Sequence, residues 1–400
     1  MQNFISLGEV LGFKKQPTGF ATKSIHAGQN PEQWNCRAII PPIVTSKIYQ
    51  YVSLDKTAGY GYSRHNNPTR DVLDKCIASI DNAEYALSFS AGVGVLTAIL
   101  ATLKTGDGIV STHDLYGGSL RLLRDYALKM GIVTEYIDFE DFNSLENALK
   151  PNTKLVWLES PTNPLMTVVD IKAIADIVHS KSKAIFVVDN TFLTPYFQRP
   201  LELGADAVMY SLSKFMNGHS DLIMGAVTTN NKEFYETLKY FQTSIGVVPS
   251  ARDCYEVNRS LKTLPLRMEQ HFRNSYEIAQ FLEAHPKVEK VYHPALKSHK
   301  NHEIALKQSY GNSGIMSFKI KGSLEQSRKF FSSLKLIMIA ESLGGVESSV
   351  AFPWTMSHSD ICEVKRIEVG VTNTLIRFSV GLEDVTELIF DLDQALMSVN

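Results

Sequence analysis

A single lysine, Lys214, stands just after the apolar run Ala207-Val-Met-Tyr210, with two hydroxyls, Ser211 and Ser213, between them. An amine at a strand end, held beside apolar walls, has its pKa lowered and becomes a nucleophile toward carbonyls. Hydroxyls three and one residues ahead of it can hold a phosphate close to the reacting carbon. Gly218 and a second apolar run, Ile223–Val227, follow. Taken alone, such a lysine is most simply a surface residue in a polar loop, so its neighbours in the fold must decide.

Four other apolar runs end in residues able to do chemistry. After Phe89 comes Ser90-Ala-Gly-Val-Gly94, whose small residues open a helical pattern and let backbone N–H groups approach an anion. Close helix–strand packing explains those glycines equally well. After Thr112 comes His113-Asp-Leu-Tyr-Gly-Gly118, where Tyr116 is either a core aromatic or a ring that stacks on a planar ligand and moves a proton. After Leu158 comes Glu159-Ser-Pro-Thr-Asn-Pro164, in which prolines fix the direction of Asn163. After Val188 comes Asp189-Asn-Thr-Phe192, with a carboxylate that either caps a helix or pairs with a buried cation. Gly92, Tyr116, Asn163, Asp189 and Lys214 together supply a phosphate cup, a ring to stack on, a carboxylate for a pyridinium nitrogen and an amine for an aldehyde. That set describes a pyridoxal 5'-phosphate (PLP) site.

The elements that must position these residues alternate. Strand patterns at Ala86–Phe89, Gly108–Ser111, Val133–Ile137, Leu155–Leu158, Ile185–Val188, Ala207–Tyr210 and Met224–Thr228 are mostly separated by helical ones. The helical patterns include Val93–Leu103, Ser119–Lys129, Ser144–Leu149 and Ile171–His179. This predicts an α/β fold with a large, mostly parallel seven-stranded sheet covered on both faces, with ligands beyond the carboxyl ends of its strands. Residues 249–285 predict a long helix. Beyond it lie strand candidates Val288–Tyr292, Gly314–Phe318, Leu336–Ile339 and Leu375–Ser379, then a closing helix, Val385–Met397. Three parts are expected: an irregular, proline-interrupted arm at 1–62 suited to lie on another subunit, a PLP-binding domain at 63–262 and a smaller α/β domain at 263–400.

With 400 residues, 44% hydrophobic and 20% charged, the chain can bury a large core. A net charge of −2 and the lack of a basic run point away from nucleic acid. No apolar run approaches the roughly 18–20 residues that span a bilayer, so no membrane association and a cytoplasmic location are expected. Cys36, Cys76, Cys254 and Cys362 form no metal-binding spacing and are expected to be free thiols. His293, His299 and His302 sit in a polar stretch without the partners a metal site needs, so no metal is expected.

The chain resembles the trans-sulfuration family of PLP-dependent enzymes: the cystathionine γ-lyases, cystathionine γ-synthases and methionine γ-lyases. The resemblance covers residues 20–398. It rests on Tyr62-Ser-Arg64, Asn67-Pro-Thr-Arg70, Tyr116-Gly-Gly118, Pro161-Thr-Asn-Pro164, Val188–Phe192, Lys214–Asp221, Glu341–Ser348 and Arg377–Glu383. Tyr196-Phe-Gln-Arg-Pro200 and Gly381–Asp384 are most similar to the eukaryotic γ-lyase branch. The resemblance implies the type I fold of PLP-dependent transferases. It implies that Lys214 bonds the cofactor, Asp189 pairs with the pyridine nitrogen, and Tyr116 stacks on the ring and takes part in proton transfer. Gly92, Val93, Ser211 and Ser213 would cup the phosphate, with Asn163 and Thr191 also at the cofactor. Tyr62 and Arg64 would reach the phosphate of a neighbouring subunit, in a homotetramer built from two active dimers. Asn163, Ser342 and Arg377 would hold the substrate carboxylate, with Tyr62, Arg121, Glu341 and Ser357 also at the substrate.

The implied reaction is α,γ-elimination of L-cystathionine to L-cysteine, 2-oxobutanoate and ammonia, with sulfide release from cysteine or homocysteine also open. γ-Synthase and methionine γ-lyase chemistry are the alternatives. An acidic Glu341 suits the distal ammonium of cystathionine, and methionine γ-lyases commonly carry an apolar residue there and cysteine at the place of Gly118. Gly61 departs from the family, whose cystathionine-processing members usually have an acid at that place. His65-Asn66 and Ser213 are further departures, the last keeping its hydroxyl.

Overall fold

The computed structural model describes residues 6–357, 359 and 362–399. Seven strands form the larger sheet: β1 (Tyr85–Phe89), β2 (Gly108–Ser111), β3 (Val133–Tyr136), β4 (Thr153–Glu159), β5 (Ile185–Asp189), β6 (Ala207–Ser211) and β7 (Gly225–Thr229). Their spatial order is β1-β7-β6-β5-β4-β2-β3, and β7 alone runs antiparallel to its neighbours. The alternation of side chains along each strand splits the core between two faces. Val156, Leu158, Val188 and Val208 face one hydrophobic cluster. Leu155, Trp157, Val187 and Met209 face the other. Both faces are buried, which is why these runs are apolar throughout rather than alternating.

Five strands make the second sheet: β8 (Val288–Tyr292), β9 (Ile315–Ile320), β10 (Met338–Ile339), β11 (Ser349–Ala351) and β12 (Leu375–Ser379). Its order is β10-β11-β12-β9-β8. It shares a separate hydrophobic cluster with the helices Leu264–Ala284, Leu324–Ser333 and Val385–Met397.

Two sequence expectations are corrected here. The long helix expected over 249–285 is two helices, Ala251–Leu261 and Leu264–Ala284, separated at Lys262 and Thr263. Pro265 sits in the first turn of the second, where its missing N–H has no intrahelical partner to lose. The helix expected over 119–129 is interrupted by a π turn at Leu122–Tyr126. The arm contains two short helices, Leu7–Val10 and Phe20–His26, and buries Phe13 and Phe20 in the main core. Its later part leaves Ile39, Ile48 and Leu54 at 78%, 64% and 96% exposure. Among the described residues no helix is long and apolar enough to cross a membrane. His293 is wholly buried, hydrogen-bonded to Ser275 and Asn312, and His299 and His302 are buried as well, while Lys297, Ser298 and Lys300 between them stay exposed.

Candidate active site

β1, β4, β5 and β6 run parallel and deliver their carboxyl ends to one edge. A cavity of about 810 Å³ lies there, between the two sheets. It is lined by Gly92, Val93, Tyr116, Arg121, Asn163, Asp189, Thr191, Ser211, Ser213, Lys214, Glu341, Ser342, Ser357 and Arg377. All the expected site residues thus converge except Tyr62 and Arg64. Arg64 instead donates to the Thr243 carbonyl at 2.9 Å, outside this chain's cavity.

Lys214 lies three residues past the end of β6. Burial, then the neighbouring Arg377 guanidinium, pulls its amine down to about 8. The Lys214 Nζ donates to the Ser342 hydroxyl. Asp189 ends β5, and its Oδ1 accepts from the Thr191 amide at 3.0 Å and the Thr191 hydroxyl at 2.6 Å. Thr191 Oγ1 in turn accepts from the Ser211 amide at 2.8 Å, which ties the end of β5 to the end of β6. Burial pushes the Asp189 carboxyl above the usual range. A nearby cation would reverse that shift.

Arg377 comes from β12, in the second sheet. Its Nη1 donates to Asn163 Oδ1 at 3.3 Å and its Nη2 to the Ser342 carbonyl at 2.5 Å. Its Nε is buried without a partner. Burial lowers it to about 10, an effect that Glu341, Tyr116 and Glu159 partly offset. Tyr116 is 46% exposed, so one part of the ring is open to the cavity.

Glu159 was missed as a functional candidate. It ends β4, is 5% exposed, lines the cavity and accepts from the Tyr116 amide at 2.9 Å. The available signal was the one used for Asp189, an acid directly after four apolar residues. Glu347 and Ser220 also line the cavity and pair at 3.3 Å; both lie inside motifs that carry the family resemblance, Glu341–Ser348 and Lys214–Asp221, but neither was given a role of its own.

A profile of the Cys/Met metabolism PLP-dependent enzymes matches residues 21–397. The chain belongs to that family. It is 48% identical to cystathionine gamma-lyase of Sus scrofa over 389 residues, covering 97% of this chain and 96% of the relative. It is also 48% identical to cystathionine gamma-lyase of Dictyostelium discoideum, covering 95% and 99%. Among solved structures, metB of Corynebacterium glutamicum superposes with a TM-score of 0.92 at 40% identity, covering 96% of this chain and 99% of that one. The cystathionine gamma synthase of Xanthomonas oryzae pv. oryzae, in complex with aminoacrylate and cysteine, gives 0.92 at 35% identity, with the same coverage.

The cavity suits the cofactor of that family on three physical counts. A Cβ at Gly92 would lie 2.9 Å from Met209 Cε and 3.4 Å from Ser211 Oγ, so glycine keeps that corner open beside the N-terminus of the helix Gly92–Leu100 without displacing the end of Met209. That terminus offers backbone N–H groups and a positive dipole to a phosphate. Asp189 is a buried acid beside Thr191 with no cation bound to it among the described ion pairs, and a pyridinium supplies one. The lowered amine of Lys214 suits capture of an aldehyde near neutral pH.

Proposed function

We propose that this protein catalyses α,γ-elimination of L-cystathionine, taking up water and releasing L-cysteine, 2-oxobutanoate and ammonia. The observation that carries the reading is the meeting of Lys214, Asp189 and Arg377 in one cavity with Glu341. When bound, PLP withdraws electrons from the substrate amino-acid carbons, so that their protons become acidic. Gly92, Val93 and Ser211 would hold its phosphate, Asp189 its ring nitrogen, Tyr116 its ring face, and Asn163 and Lys214 its substituents. Ser213 would act mainly through structure, because its hydroxyl both accepts from the Met224 amide at 2.9 Å and donates to the Met224 carbonyl at 3.1 Å.

The chain's own groups then act as follows. Arg377 binds the substrate α-carboxylate, which meets the unpartnered Nε. Lys214 Nζ takes the proton from Cα and carries protons onward to neighbouring carbons, held in reach by Ser342. Tyr116 Oη gives a proton to the departing sulfur. Glu341 attracts the distal ammonium, with Arg121 and Ser357 at the same mouth.

The assembly is a homo-oligomer in which a second copy brings Tyr62 and Arg64 to the phosphate. Their place outside the chain's own cavity supports this, as do the exposed apolar side chains at 39–54.

Release of 2-oxo acid from cystathionine tests the activity, run against cysteine plus an activated homoserine. Lys214→Ala abolishes turnover; normal activity in that variant, or condensation without elimination in the wild type, refutes the assignment.

A further inference from the structure

Glu159 lies at the centre of the cofactor edge, yet the mechanism above gives it no step. Its register partner across β4 and β5 is Asp189. Neighbouring strands lie about 4.8 Å apart, so two buried acids sit side by side at the end of the sheet. Its Oε2 accepts from the Tyr116 amide at 2.9 Å, and the Asn163 backbone amide faces the same carboxyl. One side chain therefore spans two loops, the one after β2 that carries Tyr116 and the one after β4 that carries Asn163.

We propose that Glu159 is a positioning residue, a neutral carboxylic acid that holds the backbone of Tyr116 and Asn163 in place and leaves the negative charge of this edge on Asp189. The inference rests on the PLP reading of the cavity. Charge placement requires the neutral form. Two carboxylates at adjacent strand ends repel; each faces two donors, Asp189 the Thr191 amide and hydroxyl and Glu159 the Tyr116 and Asn163 amides, so what favours charge on Asp189 is the pyridinium that the PLP reading places beside it. Burial and Asp189, with a smaller push from Asp114, hold the Glu159 carboxyl well above the usual range, and the Tyr116 and Asn163 amides offset this only in part. The groups that face it are Asp189 from β5, Asp114 and Tyr116 from the loop after β2, and Arg377 from β12. A neutral acid still accepts hydrogen bonds through its carbonyl oxygen, which is all that the two backbone amides ask of it.

Two mild variants separate reach from acidity. Glu159→Gln keeps the length and an acceptor oxygen but cannot ionise. Glu159→Asp stays an acid but draws the acceptor back by one methylene. Absorbance titration of the cofactor-free protein with PLP, kcat and KM for cystathionine, and Tm are measured on both. Glu159→Gln keeps PLP affinity and kcat within about threefold of wild type. Glu159→Asp weakens PLP binding and lowers kcat, each at least tenfold, with Tm moved by only a few degrees. A role in stability alone would move Tm and leave PLP affinity unchanged. If Glu159→Gln loses as much as Glu159→Asp, ionisation matters and the proposal is wrong. If both behave as wild type, the carboxyl positions nothing. Failure of the wild-type protein itself to bind PLP would instead refute the cofactor site, which keeps the two readings distinguishable.

Discussion

The ring of Tyr116 folds back over the start of its own helix, and Gly118 makes that possible. A Cβ at Gly118 would lie 2.4 Å from Tyr116 Cε1 and 3.0 Å from Cζ. Carbon atoms settle at about 3.5 Å, so in Gly118→Ala the ring must move by roughly 1 Å. It can do so, because it is 46% exposed and opens onto the cavity. The fold therefore absorbs the change cheaply. Gly118 also lies in the helix Gly117–Arg121, where alanine is preferred by about 0.5–1 kcal/mol. Stability and catalysis should separate. Displacing a reacting group by about 1 Å costs up to roughly a hundredfold in rate. We expect kcat/KM for cystathionine to fall ten- to a hundredfold, about 1.4–2.7 kcal/mol, with Tm unchanged or slightly higher. The assay is continuous detection of the 2-oxo acid beside a thermal melt of the PLP-loaded protein. An activity within threefold of wild type would show that the ring position is not set by this contact, or not used in the reaction.

Arg377→Lys keeps the charge but loses the fork that spans Asn163, Ser342 and the free Nε. KM for cystathionine should rise about 10–100-fold, matching the roughly 1.5–3 kcal/mol of a charged hydrogen bond; an unchanged KM in steady-state assays speaks against carboxylate binding there. The amine of Lys214 is lowered to about 8, so capture of PLP by the cofactor-free protein should speed up as pH rises and level off above about 8. Stopped-flow absorbance follows this, and a rate still climbing tenfold per unit up to pH 10 would place the lysine in ordinary solvent. Asp189 is raised by burial, so its folded pKa exceeds the unfolded value. Its ionisation then opposes folding increasingly as pH rises through that interval, and the full penalty remains above it. Asp189→Asn should therefore stabilise the cofactor-free protein at neutral pH by on the order of 1–3 kcal/mol, and remove that advantage in acid, while weakening PLP binding. Melts of both proteins across pH 4–8, with PLP titrations, check both halves; a less stable Asp189→Asn at neutral pH contradicts the linkage.

Much of the larger sheet was legible because its strands are buried on both faces. Gly108–Ser111 runs as the apolar pattern placed it, and β5 and β6 extend theirs by one polar residue each, Asp189 and Ser211. Those extra residues are the ones that face the cavity. The short strand β11 was not legible, since three residues, Ser349–Ala351, carry no period. The split between Leu261 and Leu264 was hidden because both helices keep apolar residues at compatible spacing across it. The site was legible where a reactive side chain stood alone after an apolar run. Glu159 satisfied that rule and was still passed over, because Asn163 in the same proline-bounded loop offered a more obvious use. The steric role of Gly118 against the Tyr116 ring was invisible for a different reason. A glycine is read from what its own backbone needs, and this one is required by a ring two residues away.

The turn at 341–348 shows why the cavity needs both sheets. Ser342 has a φ of 77°, a left-handed conformation that typically costs a non-glycine residue about 1–3 kcal/mol. That conformation turns its carbonyl to Arg377 and its hydroxyl to Lys214. The cost is offset by bonds in the residues that follow it. The Gly344 amide donates to Ser379 Oγ at 2.8 Å, at the end of β12. The Val346 amide donates to the Gly218 carbonyl at 2.9 Å, in the loop after Lys214. The Glu383 carboxylate accepts from the Ser348 amide at 2.6 Å and its hydroxyl at 2.8 Å. The turn is thus fastened to β12 and to the lysine loop at once. Arg377 helps to hold the strained residue that in turn holds the lysine amine. The carboxylate-binding group and the proton-carrying group are therefore fixed relative to each other through one residue, although one comes from the second sheet and the other from the first.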